Sequence, residues 1–204
     1  MARQPQTLVF DIGNVLIEWD PRFLYRKIFA DEAEMEWFLG HVCTPAWNLE
    51  QDRGRAMADA VALLVARHPA HETAIRAFDT RWLETVSGPI PGSVELLARV
   101  RAAGIPDYAI TNFSHEKFPI AKAHFPFLEG FRGTIVSGEE KLLKPEPAIY
   151  RLLLDRYGLE AADCVFIDDS PANVEGARSV GMHAVHFTDP GQLAADLRAF
   201  GFSV

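Results

Sequence analysis

Cysteine is nearly absent: Cys43 and Cys164 are the two in 204 residues. So few at this length leave no disulfide framework to read, and Cys164, inside an apolar stretch, reads as a small core residue. No apolar run approaches the ~20 residues that cross a bilayer. The first ten residues also lack a basic stretch followed by a long apolar one. The expected setting is therefore a reducing cytoplasm, with no membrane partner. No block of Lys or Arg occurs, and the net charge is −8, which argues against a broad nucleic-acid surface. An anionic small molecule is still allowed, because a local Lys and a metal ion can override the global field. There is no internal repeat or low-complexity tract. What remains is ordinary for a globular chain, 49% hydrophobic and 24% charged, which excludes the disordered and fibrous classes. The length suits one α/β domain with a sizeable insert, or two small domains.

The C-terminal half alternates two hydrophobic periods. Helices are predicted over 93–103, 116–123, 147–157, 171–180 and 191–200, and strands over 108–110, 134–136, 164–167 and 184–187. With the apolar run Thr7-Leu8-Val9-Phe10, these repeated βα units imply a parallel sheet with helices on both faces. The stretch from about Trp19 to about Gly88 breaks the rhythm. It reads as helical throughout, over 22–29, 32–39, 56–66 and 72–83, with no strand pattern and with a loop over 47–54. Gly88, Pro89, Pro91 and Gly92 read as the return hinge. An all-helical insert directly after the first strand is well placed to act as a lid.

Polar residues gather where the apolar runs stop. Asp11 ends the first run and opens the turn Asp11-Ile12-Gly13-Asn14. Thr111 and Asn112 follow Tyr108-Ala109-Ile110. Asp168 and Asp169 follow Cys164-Val165-Phe166-Ile167. Lys144 precedes Pro145, which favours an extended backbone and so aims the lysine; Lys141 lacks that constraint and reads as surface. Each has a bland alternative. Asp11 could cap a turn, Asp169 or Ser170 could cap the helix that Pro171 begins, and Thr111-Asn112 could cap a helix or bind phosphate oxygens. In an open α/β sheet, however, strand C-termini converge on one crevice, where ligands bind. Three carboxylates and one Lys there leave a net charge of −2, and like charges about 4 Å apart cost ~4 kcal/mol at an effective dielectric near 20. Mg²⁺, which favours oxygen ligands, would neutralise the pocket and admit a phosphate beside an ionised Asp11. This favours metal-assisted phosphoryl transfer through an aspartyl-phosphate.

The stretches FDIGNVL, AITNFS, KLLKPEPAIY and FIDDSPANVEGARSVGM, in this order, resemble the haloacid dehalogenase-like hydrolase superfamily. The resemblance implies an α/β, Rossmann-like core over 1–17 and 89–204 and a helical cap over 18–88. It implies Asp11 as nucleophile, with Thr111 and Lys144 as its phosphate and nucleophile partners. It also implies Mg²⁺ held by Asp11, the Gly13 carbonyl and Asp169, with Asp168 direct or through water. Phosphatases of this family usually carry a second Asp where this chain has Gly13, so the usual proton donor for the leaving alcohol is missing. A sugar-phosphate phosphatase subgroup shares that glycine. Glu18, Asp20, Asp52 and His115 are candidate replacements, as is metal-bound water.

The same glycine suits a metal-free 2-haloacid dehalogenase, since a halide leaves without a proton, but the paired acids oppose a carboxylate substrate. Arg22 and Arg26 are positional candidates for binding that carboxylate. A catalytically lapsed binding module is a further alternative. Among the aromatic residues of the insert, most of which read as its own core, Trp47 in the expected loop is the candidate for contacting substrate, alongside Asn112, Thr111 and Lys144. The expected partner is a small anionic metabolite such as a sugar phosphate, and the expected assembly is a monomer or homodimer.

Overall fold

The computed structural model describes residues 4–204. Seven strands occur: β1 (Thr7–Phe10), β2 (Ile17–Trp19), β3 (Val86–Pro89), β4 (Asp107–Thr111), β5 (Thr134–Val136), β6 (Cys164–Asp168) and β7 (His183–His186). Five of them form a sheet in the order β5-β4-β1-β6-β7, and every pairing in it is parallel. Every residue of β1 and β6 is buried, as expected for central strands covered on both faces. Because side chains alternate along a strand, β1 serves two cores. Leu8 and Phe10 pack with Leu97 and Val100 of helix Pro91–Ala102 and Leu197 of helix Pro190–Ala199. Val9 packs with Leu153 of helix Pro147–Tyr157 and Ala177 of helix Pro171–Ser179.

These four helices each open on a proline, where the missing N–H costs nothing and the fixed φ suits the first turn. Helix Pro147–Tyr157 ends on Gly158 at φ +62°, the left-handed conformation that glycine adopts without penalty. The chain leaves β1, reaches β4 and β5 on one side, then crosses to β6 and β7 on the other. β1 is therefore the point where strand order reverses, and the crevice opens at its C-terminal end. Strands expected to end at residues 110 and 167 run one residue further, so Thr111 and Asp168 are themselves the last strand residues.

The insert between β1 and β4 departs from the all-helical expectation. β2 and β3 pair antiparallel and form a two-stranded ribbon where the chain leaves and re-enters the core. A strand of three residues and a strand reading Val-Ser-Gly-Pro carry almost no strand signal, since Gly and Pro are depleted from sheets; pairing across the two chain crossings supplies what local propensity lacks. Helix Pro45–Asp52 lies where a loop was expected. Its start was legible in principle: Thr44 Oγ1 accepts from the Trp47 N–H at 3.1 Å and Pro45 follows at the first position. The remaining helices, Glu32–His41, Met57–Arg67 and Glu72–Thr80, fall close to expectation, whereas the first shortens to Arg22–Tyr25. Tyr25, Phe29 and Phe38 form their aromatic core, with Tyr25 and Phe38 centroids 4.9 Å apart. No helix among the described residues is long and apolar enough to cross a membrane.

Two helical glycines should respond oppositely to alanine. A Cβ at Gly176 would sit 2.6 Å from the Pro145 carbonyl oxygen and 2.9 Å from the Tyr150 hydroxyl, whereas one at exposed Gly40 would meet nothing within 4 Å. Gly176→Ala should cost about 1–3 kcal/mol through overpacking against backbone. Gly40→Ala should gain roughly 0.5–1 kcal/mol by reducing unfolded-state entropy. Chemical denaturation of both variants reads the two signs.

Candidate active site

Lys144 lies at the centre of the crevice. Its Nζ is 2.7 Å from Asp11 Oδ1 and 2.7 Å from Asp168 Oδ2. The three side chains are 1%, 10% and 0% exposed, so these are buried ion pairs in a low-dielectric setting. Each partner is anchored locally. The Lys144 N–H donates to Asn112 Oδ1 at 2.9 Å, and Asn112 Nδ2 donates to the Lys144 carbonyl at 3.0 Å. Asn112, a substrate-binding candidate from the sequence, lines the cavity beside Gly13, and its side chain brackets the lysine backbone and fixes where the ammonium emerges. The Lys144–Pro145 peptide is cis. Asp168 Oδ1 accepts from the Ser170 N–H at 2.8 Å and from Asn173 Nδ2 at 3.0 Å. Ser170 does occupy the N-cap position, but its side chain makes no cap bond; its own N–H donates to the Asp168 carboxylate. Asn173 was missed by sequence reasoning. Its signal was an Asn in the first turn of a helix, where the short amide can reach back to a preceding acid.

Asp11 is held by its own turn. The Asp11 N–H donates to the Ile167 carbonyl at 2.8 Å, and Oδ1 accepts from the Ile12 N–H at 2.7 Å. Lys144 and the Ile12 N–H both use Oδ1, and no side-chain donor among the described residues bonds Oδ2. Asn14 adopts φ +54°, a left-handed conformation that Asn tolerates, and its Oδ1 accepts from the Trp19 N–H at 2.9 Å. This turn ties the nucleophile candidate to the start of the ribbon. Thr111 is buried at the end of β4. Asp169 donates no side-chain anchor to the fold; its carbonyl oxygen lies 2.9 Å from His186 Nε2, and its carboxylate contacts no side-chain donor.

Oxygens of Asp11, Asp168 and Asp169 can all lie within 4.8 Å of one another. That donor set is all-oxygen and suits a hard divalent cation. The electrostatics agree. Burial, opposed by Lys144 and reinforced by Asp168, pushes the Asp11 carboxyl well above its ordinary range. Burial and Asp168 likewise push Asp169 up. Burial also works against the Lys144 ammonium, but Asp11 and Asp168 outweigh it and hold its pKa above the ordinary lysine value. Asp11 and Asp169 are thus both harder to ionise than ordinary carboxylates, with the Lys144 ammonium opposing the shift at each.

A cavity of about 90 Å³ opens beside Gly13 and runs under the insert, lined among others by Trp19, Asp52, Trp82 and Lys117. A larger cavity of about 440 Å³ continues past Trp19 and Asn48 into the insert. Trp47 is not brought to either. It sits in helix Pro45–Asp52 with its ring edge-on to Phe78 at 5.0 Å and its indole N–H directed at the Ala60 carbonyl at 3.4 Å, so it packs the insert while Trp19 and Trp82 face the cavity. Of the acid candidates to replace the side chain absent at Gly13, Glu18 bonds Ser87 across the ribbon and Asp20 holds the Arg22 N–H at 2.8 Å. His115 lies near Glu116 at 3.9 Å. Asp52 alone of the four lines the cavity that Gly13 lines.

With this geometry in view, the comparisons are consistent. The model of the haloacid dehalogenase-like hydrolases matches residues 5–181, and the chain belongs to that family of hydrolases. It is 25% identical over 191 residues to a sesquiterpene phosphatase of Aspergillus oryzae, spanning 93% of each chain. It is 32% identical over 106 residues to hexitol phosphatase A of Escherichia coli, spanning 50% of this chain and 46% of that protein. Among solved structures, a HAD family enzyme of Bacteroides thetaiotaomicron, complexed with magnesium and inorganic phosphate, superposes with TM-score 0.69 at 23% identity, covering 91% of this chain and 95% of that one. A HAD-like hydrolase from Porphyromonas gingivalis reaches TM-score 0.77 at 19% identity over 98% of this chain and 100% of that one. These structural likenesses concern the fold.

Removing the central cation should leave buried, uncompensated carboxylates. Lys144→Met is expected to lose about 3–5 kcal/mol of stability at pH 7. Lys141→Met, at an exposed position nearby, should stay within roughly 0.5 kcal/mol of wild type. Urea titration of the two variants checks this.

Proposed function

We propose that the protein is a Mg²⁺-dependent phosphatase that hydrolyses a small phosphorylated metabolite, a sugar phosphate being one class, through an aspartyl-phosphate on Asp11. One observation carries the reading: three clustered carboxylates share a single ammonium. A site of net −2 would repel an anionic substrate, and it becomes neutral with one divalent cation. The residues fit such an ion. Asp11, the Gly13 carbonyl and Asp169 would hold it, with Asp168 direct or through water. When bound, Mg²⁺ would supply the charge that lets a phosphate dianion approach an ionised Asp11. The phosphatase names of two relatives support the same chemistry.

The Asp11 carboxylate attacks phosphorus, and the bond to the leaving oxygen breaks as the new one forms. Lys144 keeps the attacking carboxylate oriented and offsets charge on the transferring group. Thr111, at the end of β4, offers a hydroxyl to a phosphate oxygen. Water then attacks the phosphorus of the aspartyl-phosphate, releasing phosphate and restoring Asp11. The cavity beside Gly13 would receive the leaving group, so the insert selects the substrate.

Phosphate release from p-nitrophenyl phosphate and a sugar-phosphate panel tests the reading. Turnover is expected with Mg²⁺ and none with EDTA, and Asp11→Asn should melt like wild type yet be inactive. Absence of phosphate release under both conditions, with chloride released from 2-chloropropionate, would replace this reading with metal-free dehalogenation.

A further inference from the structure

We propose that Asp52, carried by the insert, is the proton donor to the leaving oxygen and then the acceptor of the proton from the hydrolytic water. The inference rests on the phosphatase reading and names the group that completes it.

An alkoxide is a poor leaving group, so the oxygen must gain a proton as its bond to phosphorus breaks. The donor must sit where the leaving group sits and must hold a proton near the working pH. The chamber beside Gly13 is lined by two ionisable side chains among the described residues, Asp52 and Lys117. Lys117 is committed elsewhere: its buried ammonium is paired with the Asp79 carboxylate and donates to the Asp79 carbonyl at 3.0 Å. Among the described residues, no cationic side chain is bonded to Asp52. It accepts from Asn48 Nδ2 at 3.2 Å, a neutral donor one helical turn earlier.

Asp52 belongs to the insert, yet it is clamped to the core. Its carbonyl accepts from Ser137 Oγ at 2.5 Å. Two residues on, Gly54 at φ +101° lies so close to the core that a Cβ there would be 2.8 Å from the Gly138 carbonyl oxygen. Arg53 reaches Glu146 at 2.7 Å, and the Met57 N–H donates to Glu116 at 2.9 Å. Four contacts on six residues hold this segment against the crevice, which a mere surface turn would not require. The charged group acting on the carboxyl is Lys144 from the crevice, while Lys117, from the loop after β4, lines the same chamber with its ammonium on Asp79. Burial nevertheless dominates, raising Asp52 to about 7 against the lowering effects of the Ser114 N–H and Lys144.

The proton cycle closes. Protonated Asp52 gives its proton to the leaving oxygen as the phosphorus–oxygen bond breaks and Asp11 becomes phosphorylated. The resulting Asp52 carboxylate then takes a proton from water as that water attacks phosphorus and Asp11 is freed. Both acids return to their starting states, and no further reactant is needed.

The experiment compares wild type, Asp52→Asn and the double variant Asp52→Asn/Gly13→Asp, all with Mg²⁺, on p-nitrophenyl phosphate and on glycerol 2-phosphate. A nitrophenolate leaves without a proton, so kcat/KM should fall far more for the alkyl ester, by about 100-fold or more, than for the aryl ester. Wild-type kcat/KM on the alkyl ester should decline above about pH 7, because the acid must be protonated, and Asp52→Asn should lack that decline. With p-nitrophenyl phosphate, Asp52→Asn should show a nitrophenolate burst, since hydrolysis of the phosphorylated enzyme has lost its base. A Cβ at Gly13 would meet nothing within 4 Å, so the double variant should regain alkyl-ester turnover, a rescue that a structural role for Asp52 would not permit. Equal losses on both esters without rescue, or no loss on either, would overturn the assignment of Asp52 while leaving phosphatase activity intact. No phosphate release by wild type from either ester would overturn the phosphatase reading itself and this inference with it.

Discussion

One buried lysine between two carboxylates organises this molecule. Lys144 Nζ lies 2.7 Å from both Asp11 and Asp168, and burying three charges is expensive unless each is paired and hydrogen-bonded. The fold meets that demand with backbone and amide donors brought from separate strand ends: Ile12 on Asp11, Ser170 and Asn173 on Asp168, and Asn112 on both sides of the Lys144 peptide. Each anchor sits at or just beyond a strand C-terminus. The register of β4, β1 and β6 therefore sets the site to within a residue, and a slip of one residue would turn Thr111 of β4, or an acid at the end of β1 or β6, toward a core helix.

Within this cluster the three carboxylates are bonded differently. Asp168 spends its oxygens on Lys144, Ser170 and Asn173 and acts as a buried fixture. Asp11 Oδ1 is taken by Lys144 and the Ile12 N–H, and no side chain among the described residues bonds the Asp169 carboxylate. Three residues of one type thus differ in how far their lone pairs are already occupied.

The insert contributes differently. It is joined to the core through a thin ribbon, yet polar contacts at Asp52, Arg53, Met57 and Lys117 draw it over the crevice. Its aromatic residues split between two tasks. Tyr25, Phe38 and Phe78 are buried in its own core, while Trp19 and Trp82 face the chamber. An acid delivered by the insert, opposite the one delivered by β1, couples substrate enclosure to chemistry.

Much of this was written in local patterns. The apolar runs that became β1, β4, β5, β6 and β7, the proline-started helices between them, and the placing of Asp11, Thr111, Lys144 and Asp168-Asp169 at run ends all follow from periodicity and from the rule that strand termini converge. Those features depend on residues a few positions apart, which is the range a sequence displays. The rest depends on distant partners. β2 and β3 exist because two chain crossings pair, residues 17–19 with 86–89. That the Asn112 side chain also holds the Lys144 backbone, and that Trp47 packs inside the insert, follows from tertiary neighbours that fill their hydrogen bonds and faces. Asp52 is brought to the chamber by contacts between residues 52–57 and core residues far along the chain, among them Ser137 at 85 positions. Local propensity and hydrophobic period determined which elements form and where their polar ends lie; which polar end meets which was decided by long-range packing, where burial and charge act through space without regard to order along the chain.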